Sequence, residues 1–282
     1  MATSTIPRPL ERTSWRTSKG KVALVVGAST EVGEAIAVRL ASHGYKTYGT
    51  VRGAERMLAL ESAGGRPIQL DLADPASLDA CVSTITSENG GVDVLVNVAA
   101  AELCGSVEDV PLADVRAIFE ANLFGGAAII QKISSRMRAK RAGTIISVSS
   151  VSQVVAQPNR AWHNASRFAL EAFSASLRQE LHPFGIEVVL LRVKAHFVKS
   201  QAELNATPSP SVQAMDARAR AVSVMVAPAL VADVVDRVLT SLRPRAVYTV
   251  PRRAKFLSAL LWIGASARLR YAFLCRLMGY QG

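Results

Sequence analysis

Lys21-Val-Ala-Leu-Val-Val-Gly27-Ala-Ser-Thr-Glu31-Val-Gly33 is the stretch that decides the fold. Its apolar, β-branched half reads as a strand buried on both faces, as strands of parallel sheets are. The glycine that ends it allows a tight turn. Glu31–His43 then carries Val32, Ala35, Ile36 and Leu40 on one helical face and stops at Gly44. A strand that turns through glycine into a helix presents free N–H groups and the positive end of a helix dipole. A dinucleotide pyrophosphate binds at such a junction. Gly27, Ser29, Thr30 and Gly33 are therefore candidate cofactor-binding residues.

The same alternation continues outward. Strands are predicted at Lys46–Val51, Pro67–Leu70, Val92–Val96, Gly143–Ser149, Ile186–Arg192 and Ala246–Val250. Helices are predicted at Glu55–Ala63, from Pro75 onward, over Pro111–Lys140 in one or two pieces, at Arg160–His182 and at Ala229–Leu242. This spacing implies an α/β fold: a single doubly wound parallel sheet of Rossmann type, with helices on both faces, over residues 21–250. Residues 195–226 lose the rhythm and read as a substrate lid. Residues 1–20, rich in Ser, Thr, Pro and Arg, read as a loose leader. Residues 251–282 read as a basic and apolar helical tail.

Charge separates the same regions. The 282-residue chain carries a formal +11, and the two ends hold all of that excess while the body is near neutral. A nucleic-acid-binding body needs cations clustered on a folded face, so that class is excluded. Half the residues are hydrophobic, enough for a large core. Cys81, Cys104 and Cys275 match no metal spacing and no disulfide framework, so no metal and a reducing, cytoplasmic setting are expected. No apolar run follows Met1, and no signal peptide is expected. In the tail, Phe256–Ala267 is uncharged but too short to span a bilayer. It is expected to pack on its own domain or a second subunit. Peripheral membrane contact and a lid over an apolar substrate are the alternatives.

The motifs resemble those of the short-chain dehydrogenase/reductase family from about Lys21 to Val250. That family's TGxxxGxG loop reads here Val26-Gly27-Ala-Ser-Thr-Glu31-Val-Gly33, with Glu31 in place of the middle glycine. Asp71-Leu72 matches the adenine-contacting Asp. Arg52, just after the second strand, sits where a cation recognises a ribose 2′-phosphate, which implies NADP(H). The NNAG motif becomes Asn97-Val98-Ala99-Ala100, with Glu102 close by, and the PG after the sixth strand becomes Val193-Lys194. Glu31 and Lys194 are expected to weaken cofactor binding.

The resemblance also implies the catalytic positions. Asn122 matches the family's Asn and Ser150 its Ser. YxASK becomes His163-Asn164-Ala165-Ser166-Arg167, with His163 for Tyr and Arg167 for Lys. The i, i+4 spacing keeps both side chains on one helix face. In the family, Tyr moves the proton, Lys lowers its pKa, and Asn completes a water relay to Lys. Arg167 should hold His163 neutral, a good proton acceptor and a poor donor.

Three functions stay open. The preferred one is a non-redox acid/base catalyst, performing isomerisation, dehydration or cyclisation on a lipophilic carbonyl compound of secondary metabolism. The second is an NADP(H)-dependent oxidoreductase with an altered proton donor. The third is a non-catalytic subunit that partners an active homologue. Family members pair through their two long helices, here Pro111–Lys140 and Arg160–His182, so the resemblance implies a homodimer or homotetramer.

Overall fold

The computed structural model describes residues 19–53, 56–150, 159–193 and 226–251. Seven strands form one parallel sheet: β1 (Val22–Val26), β2 (Lys46–Val51), β3 (Arg66–Gln69), β4 (Val94–Asn97), β5 (Gly143–Ser150), β6 (Ile186–Val193) and β7 (Val247–Val250). Their order is β3-β2-β1-β4-β5-β6-β7. The chain winds outward from β1 to β3, then returns to lay β4 on the other side of β1. The carboxyl ends of β1 and β4 thus flank the switch point where ligands bind in such sheets. The predicted fold class stands.

Alternation of side chains along each strand divides the core. Ala23, Val25, Val96, Ile146, Val148 and Leu191 face α1 (Glu31–Ser42) and α7 (Pro228–Thr240). Leu24, Val26, Leu95, Ile145 and Val188 face α3 (Pro75–Asn89), α5 (Gly125–Lys140) and α6 (Ala161–Leu181). Each fully buried Ile or Leu on these faces contributes about 1.5–3 kcal/mol. Arg39 of α1 bonds Asp233 and Asp236 of α7 at 2.6 and 3.0 Å and ties that helix pair across its rim.

Most element ends fall within one or two residues of expectation. β4 begins at Val94, two residues late. The reason is Asp93, whose carboxylate accepts the Val22 amide (2.9 Å) and the Lys140 ammonium (3.0 Å). That carboxylate staples β1, β4 and α5 together at the amino-terminal edge of the sheet. α2 (Leu58–Ser62) is shorter than predicted, because Met57 turns into the core instead of starting a helix. The predicted long helix over Pro111–Lys140 is three pieces: α4 (Leu112–Phe119), a π-helical turn (Glu120–Phe124) and α5. A π turn adds a residue without changing the apolar pattern much, so helical periodicity does not reveal it. The leader, lid and tail lie outside the described residues, apart from Lys19, Gly20, Val226 and Pro251.

Candidate active site at the sheet switch point

The phosphate loop is built by close backbone packing. Gly27 has φ of +82°, a left-handed conformation that glycine adopts without strain. A Cβ on it would stand 2.7 Å from the Ala99 nitrogen, so the loops after β1 and β4 abut. A Cβ on Gly33 would stand 2.2 Å from the Gly27 carbonyl oxygen, and only glycine lets α1 dock there. Thr30 is the N-cap: its hydroxyl accepts the Gly33 amide at 3.1 Å and donates to the Gly27 carbonyl at 2.9 Å. The Gly27 amide goes to the Thr50 hydroxyl at 3.0 Å. Among the described residues, the Glu31 and Val32 amides at the head of α1 have no acceptor. The donors at that head fit an anion such as a dinucleotide pyrophosphate. Glu31 is exposed at the first helical position and Ser29 beside it is exposed too.

The other expected cofactor positions lie at or just after the carboxyl ends of β2, β3 and β4. Arg52 ends the β2 segment in solvent, and its carbonyl accepts the Gln69 side-chain amide at 3.2 Å. Asp71 is exposed after β3; one carboxylate oxygen accepts the Ala73 amide at 2.9 Å, and its own amide donates to Ser77 Oγ. Leu72 packs so near Gly125 that a Cβ there would lie 2.6 Å away. Asn97 is buried at the end of β4 with its amide nitrogen against Gly126, and its Oδ1 has no hydrogen-bond partner. Lys194 lies outside the described residues.

The π turn places Asn122, 1% exposed, between two segments. Its Oδ1 accepts the Ala101 amide at 2.7 Å. Its Nδ2 donates to the Ala101 carbonyl at 3.1 Å and to Ser166 Oγ at 2.9 Å. Ser166 Oγ in turn donates to the His163 carbonyl at 2.8 Å. These bonds make the Asn122 side chain a clamp. One amide side chain holds the post-β4 loop against the first turns of α6.

Those turns carry His163 and Arg167, which share a buried face of α6 as the i, i+4 spacing requires. His163 is 3% exposed and Arg167 fully buried. Burial first, then the cations of Arg167 and Arg160, push the imidazole down to about 3. A bond to the Ala101 backbone opposes this in part, and His163 Nδ1 has no hydrogen-bond partner. Burial lowers the Arg167 guanidinium to about 10, opposed by Glu171 and Glu102. It is thus charged at neutral pH, beneath a neutral imidazole. One of its Nη atoms donates to the Val148 carbonyl at 2.7 Å, just before Ser150 at the buried carboxyl end of β5.

The sequence reading missed the outer charges. Arg160, 8% exposed, pairs with Glu102 at 3.6 Å and links the post-β4 loop to the head of α6. Glu171 holds Arg192 of β6 through two bonds, at 2.9 and 2.6 Å. The Arg167-to-Glu171 spacing of one helical turn was the available signal. Nothing in the sequence joins Arg160 to Glu102, which are 58 residues apart.

No group of three or more His, Cys, Asp or Glu side chains among the described residues is placed to hold a metal. None of their helices is long and apolar enough to cross a membrane. A shallow cavity lined by Lys21, Tyr45, Thr144 and Glu187 lies at the opposite, amino-terminal edge of the sheet, away from this chemistry.

The short chain dehydrogenase family model matches residues 21–208. The chain is 32% identical over 201 residues to the short-chain type dehydrogenase/reductase VdlC of Helicobacter pylori, covering 70% of this chain and 74% of that one. It is 34% identical over 173 residues to the 3-oxoacyl-(acyl-carrier-protein) reductase FabG of Escherichia coli, covering 60% and 71%. A short-chain dehydrogenase from Streptomyces avermitilis superposes with a TM-score of 0.74 at 25% identity, covering 93% of this chain and 99% of that one. A metagenomic short-chain oxidoreductase in complex with NADP does so with 0.69 at 25% identity, covering 83% and 97%.

Proposed function

Because the chain belongs to the short-chain dehydrogenase family, we propose that it is an NADP(H)-dependent oxidoreductase acting on a lipophilic carbonyl or hydroxyl compound. The observation that carries this is the phosphate seat. Gly27, Thr30 and Gly33 keep the close packing that opens the head of α1 to an anion, although the loop has lost its middle glycine. Glu31 is exposed, so its repulsion of a phosphate is softened by water. A superposing oxidoreductase was solved with NADP, and the exposed cation of Arg52 at the end of β2 supports recognition of a 2′-phosphate.

The nicotinamide, when bound, supplies or takes the hydride. The chain's own residues do the rest. Ser150 orients the substrate oxygen and His163 handles its proton. Asn122 fixes the turn of α6 that carries His163 against the post-β4 loop. Non-redox catalysis, preferred on sequence grounds, gains no support, since the similar proteins are named dehydrogenases and reductases. A lipophilic substrate fits the acyl substrate in the name of the Escherichia coli relative. The exposure of Phe124 and Phe168 supports pairing of two copies.

Titration with NADPH and NADH, followed by nicotinamide fluorescence, tests the reading. NADPH should bind at least about tenfold more tightly, and Arg52→Ser should erase most of that preference. Absence of binding by either nucleotide would overturn the proposal.

A further inference from the structure

We propose that the carboxyl edge of the sheet is a docking face for a lipid surface bearing anionic headgroups, held there by the chain beyond Pro251, so that the cleft opens toward the bilayer. The docking stands apart from the oxidoreductase reading; only its consequence for the substrate rests on that reading.

Strand register fixes the root of the tail. Ser150 of β5 is paired with Val193 of β6, and Val193 with Val250 of β7. Neighbouring strands lie about 4.8 Å apart, so the chain leaves the sheet about 10 Å from Ser150 and on the same edge. What leaves there is apolar and of one sign. Arg252, Arg253, Lys255, Arg268, Arg270 and Arg276 follow, with no Asp or Glu among them. Between the two groups of cations runs the uncharged stretch Phe256–Ala267, with Leu260, Leu261, Trp262 and Ile263 at its centre. That stretch is too short to span a bilayer, but cations beside apolar and tryptophan side chains suit its interface.

The described residues of the same edge carry apolar side chains outward. Helices that join parallel strands run back along the sheet, so their heads lie at its carboxyl edge. Leu58 heads α2, Leu112 heads α4, Leu230 lies in the first turn of α7, and Val107 stands on the loop after β4. All four are more than half exposed. Single exposed leucines are ordinary, but these share one edge, from the β2 side of the sheet to the β7 side. Phe124 and Phe168 lie along the long helices instead, and Leu242 and Val247 lie at the opposite edge. Charges on the edge itself are mixed: Arg52 and Arg56 stand against Glu31, Asp71, Glu108 and Asp109, all exposed. The cations of the tail therefore supply the attraction to anionic headgroups, and the apolar rim settles against the interface. A lipophilic substrate then reaches the cleft from the bilayer without crossing water.

Co-sedimentation of the full chain with vesicles, without cofactor or substrate, tests the proposal. Phosphatidylcholine vesicles with about a third phosphatidylserine should bind the chain at least about tenfold more tightly than phosphatidylcholine alone. Most of that difference should vanish at about 1 M salt, where screening shortens to about 3 Å. Arg252→Gln with Arg253→Gln and Lys255→Gln should weaken binding to the anionic vesicles at least about tenfold. Leu112→Glu with Leu230→Glu should weaken it several-fold, while Leu242→Glu, at the opposite edge, should not. All three positions are exposed, and circular dichroism checks that the variants fold. A chain that stays in the supernatant with both vesicles, its tail packed on its own domain or on a second copy, would overturn the proposal. So would equal, salt-insensitive binding to both. Rim variants that bind like the native chain, or a Leu242→Glu that binds as weakly as they do, would overturn the orientation. Failure of nucleotide binding, read separately by fluorescence, would remove the oxidoreductase reading and leave the vesicle result standing.

Discussion

Acid should weaken this fold through His163 in particular. In the unfolded chain its imidazole titrates at the usual 6.5, but in the folded chain burial and two arginines hold it near 3. Between those values the unfolded state binds a proton that the folded state refuses, so protons drive unfolding. Above pH 6.5 the ring is neutral in both states and contributes nothing to the pH dependence. At pH 5 the ring lies about 1.5 units below its unfolded value, a loss of about 2 kcal/mol relative to pH 7.5. The loss approaches its ceiling, about 5 kcal/mol, as pH falls to the folded value. Urea unfolding of the native protein and of His163→Gln, at pH 7.5 and 5, measures it. Glutamine keeps a donor for the Ala101 carbonyl and cannot titrate. The other three histidines remain in both proteins and cancel. Equal losses of stability in the two proteins would refute the placement of a neutral, buried imidazole between two cations.

Two further substitutions probe the cofactor seat and the exchanged pair. Gly33→Ala must push α1 off the Gly27 carbonyl. It should lower stability by about 2 kcal/mol or more and weaken NADPH binding at least tenfold, seen by thermal unfolding and fluorescence titration. His163→Tyr with Arg167→Lys should not by itself restore strong ketone reduction, because Glu31 remains at the head of α1; adding Glu31→Gly should tighten NADPH several-fold in a steady-state reductase assay.

The sequence made the sheet legible because its central strands are apolar runs closed by glycine or a polar residue, and most helices keep one buried face. It made the site legible only as far as local spacing reaches. The pairing of His163 with Arg167 follows from one helical turn, and the turn through Gly27 from a glycine after a strand. What it hid depends on contacts between distant segments. Asn122 gripping Ala101, and Arg160 meeting Glu102, join the post-β4 loop to elements that the sequence alone gives no reason to bring there. The π turn escaped because its residues still look helical. Met57 shortened α2 because burial outweighed helix propensity at its start.

Asp93 stitches β1, β4 and α5 into a spine along the edge of the sheet remote from the nucleotide. A book bound that way opens only at its fore-edge. Whatever breathing admits or releases a bulky ligand then falls to the opposite edge, and the binding keeps the pages in register while they part.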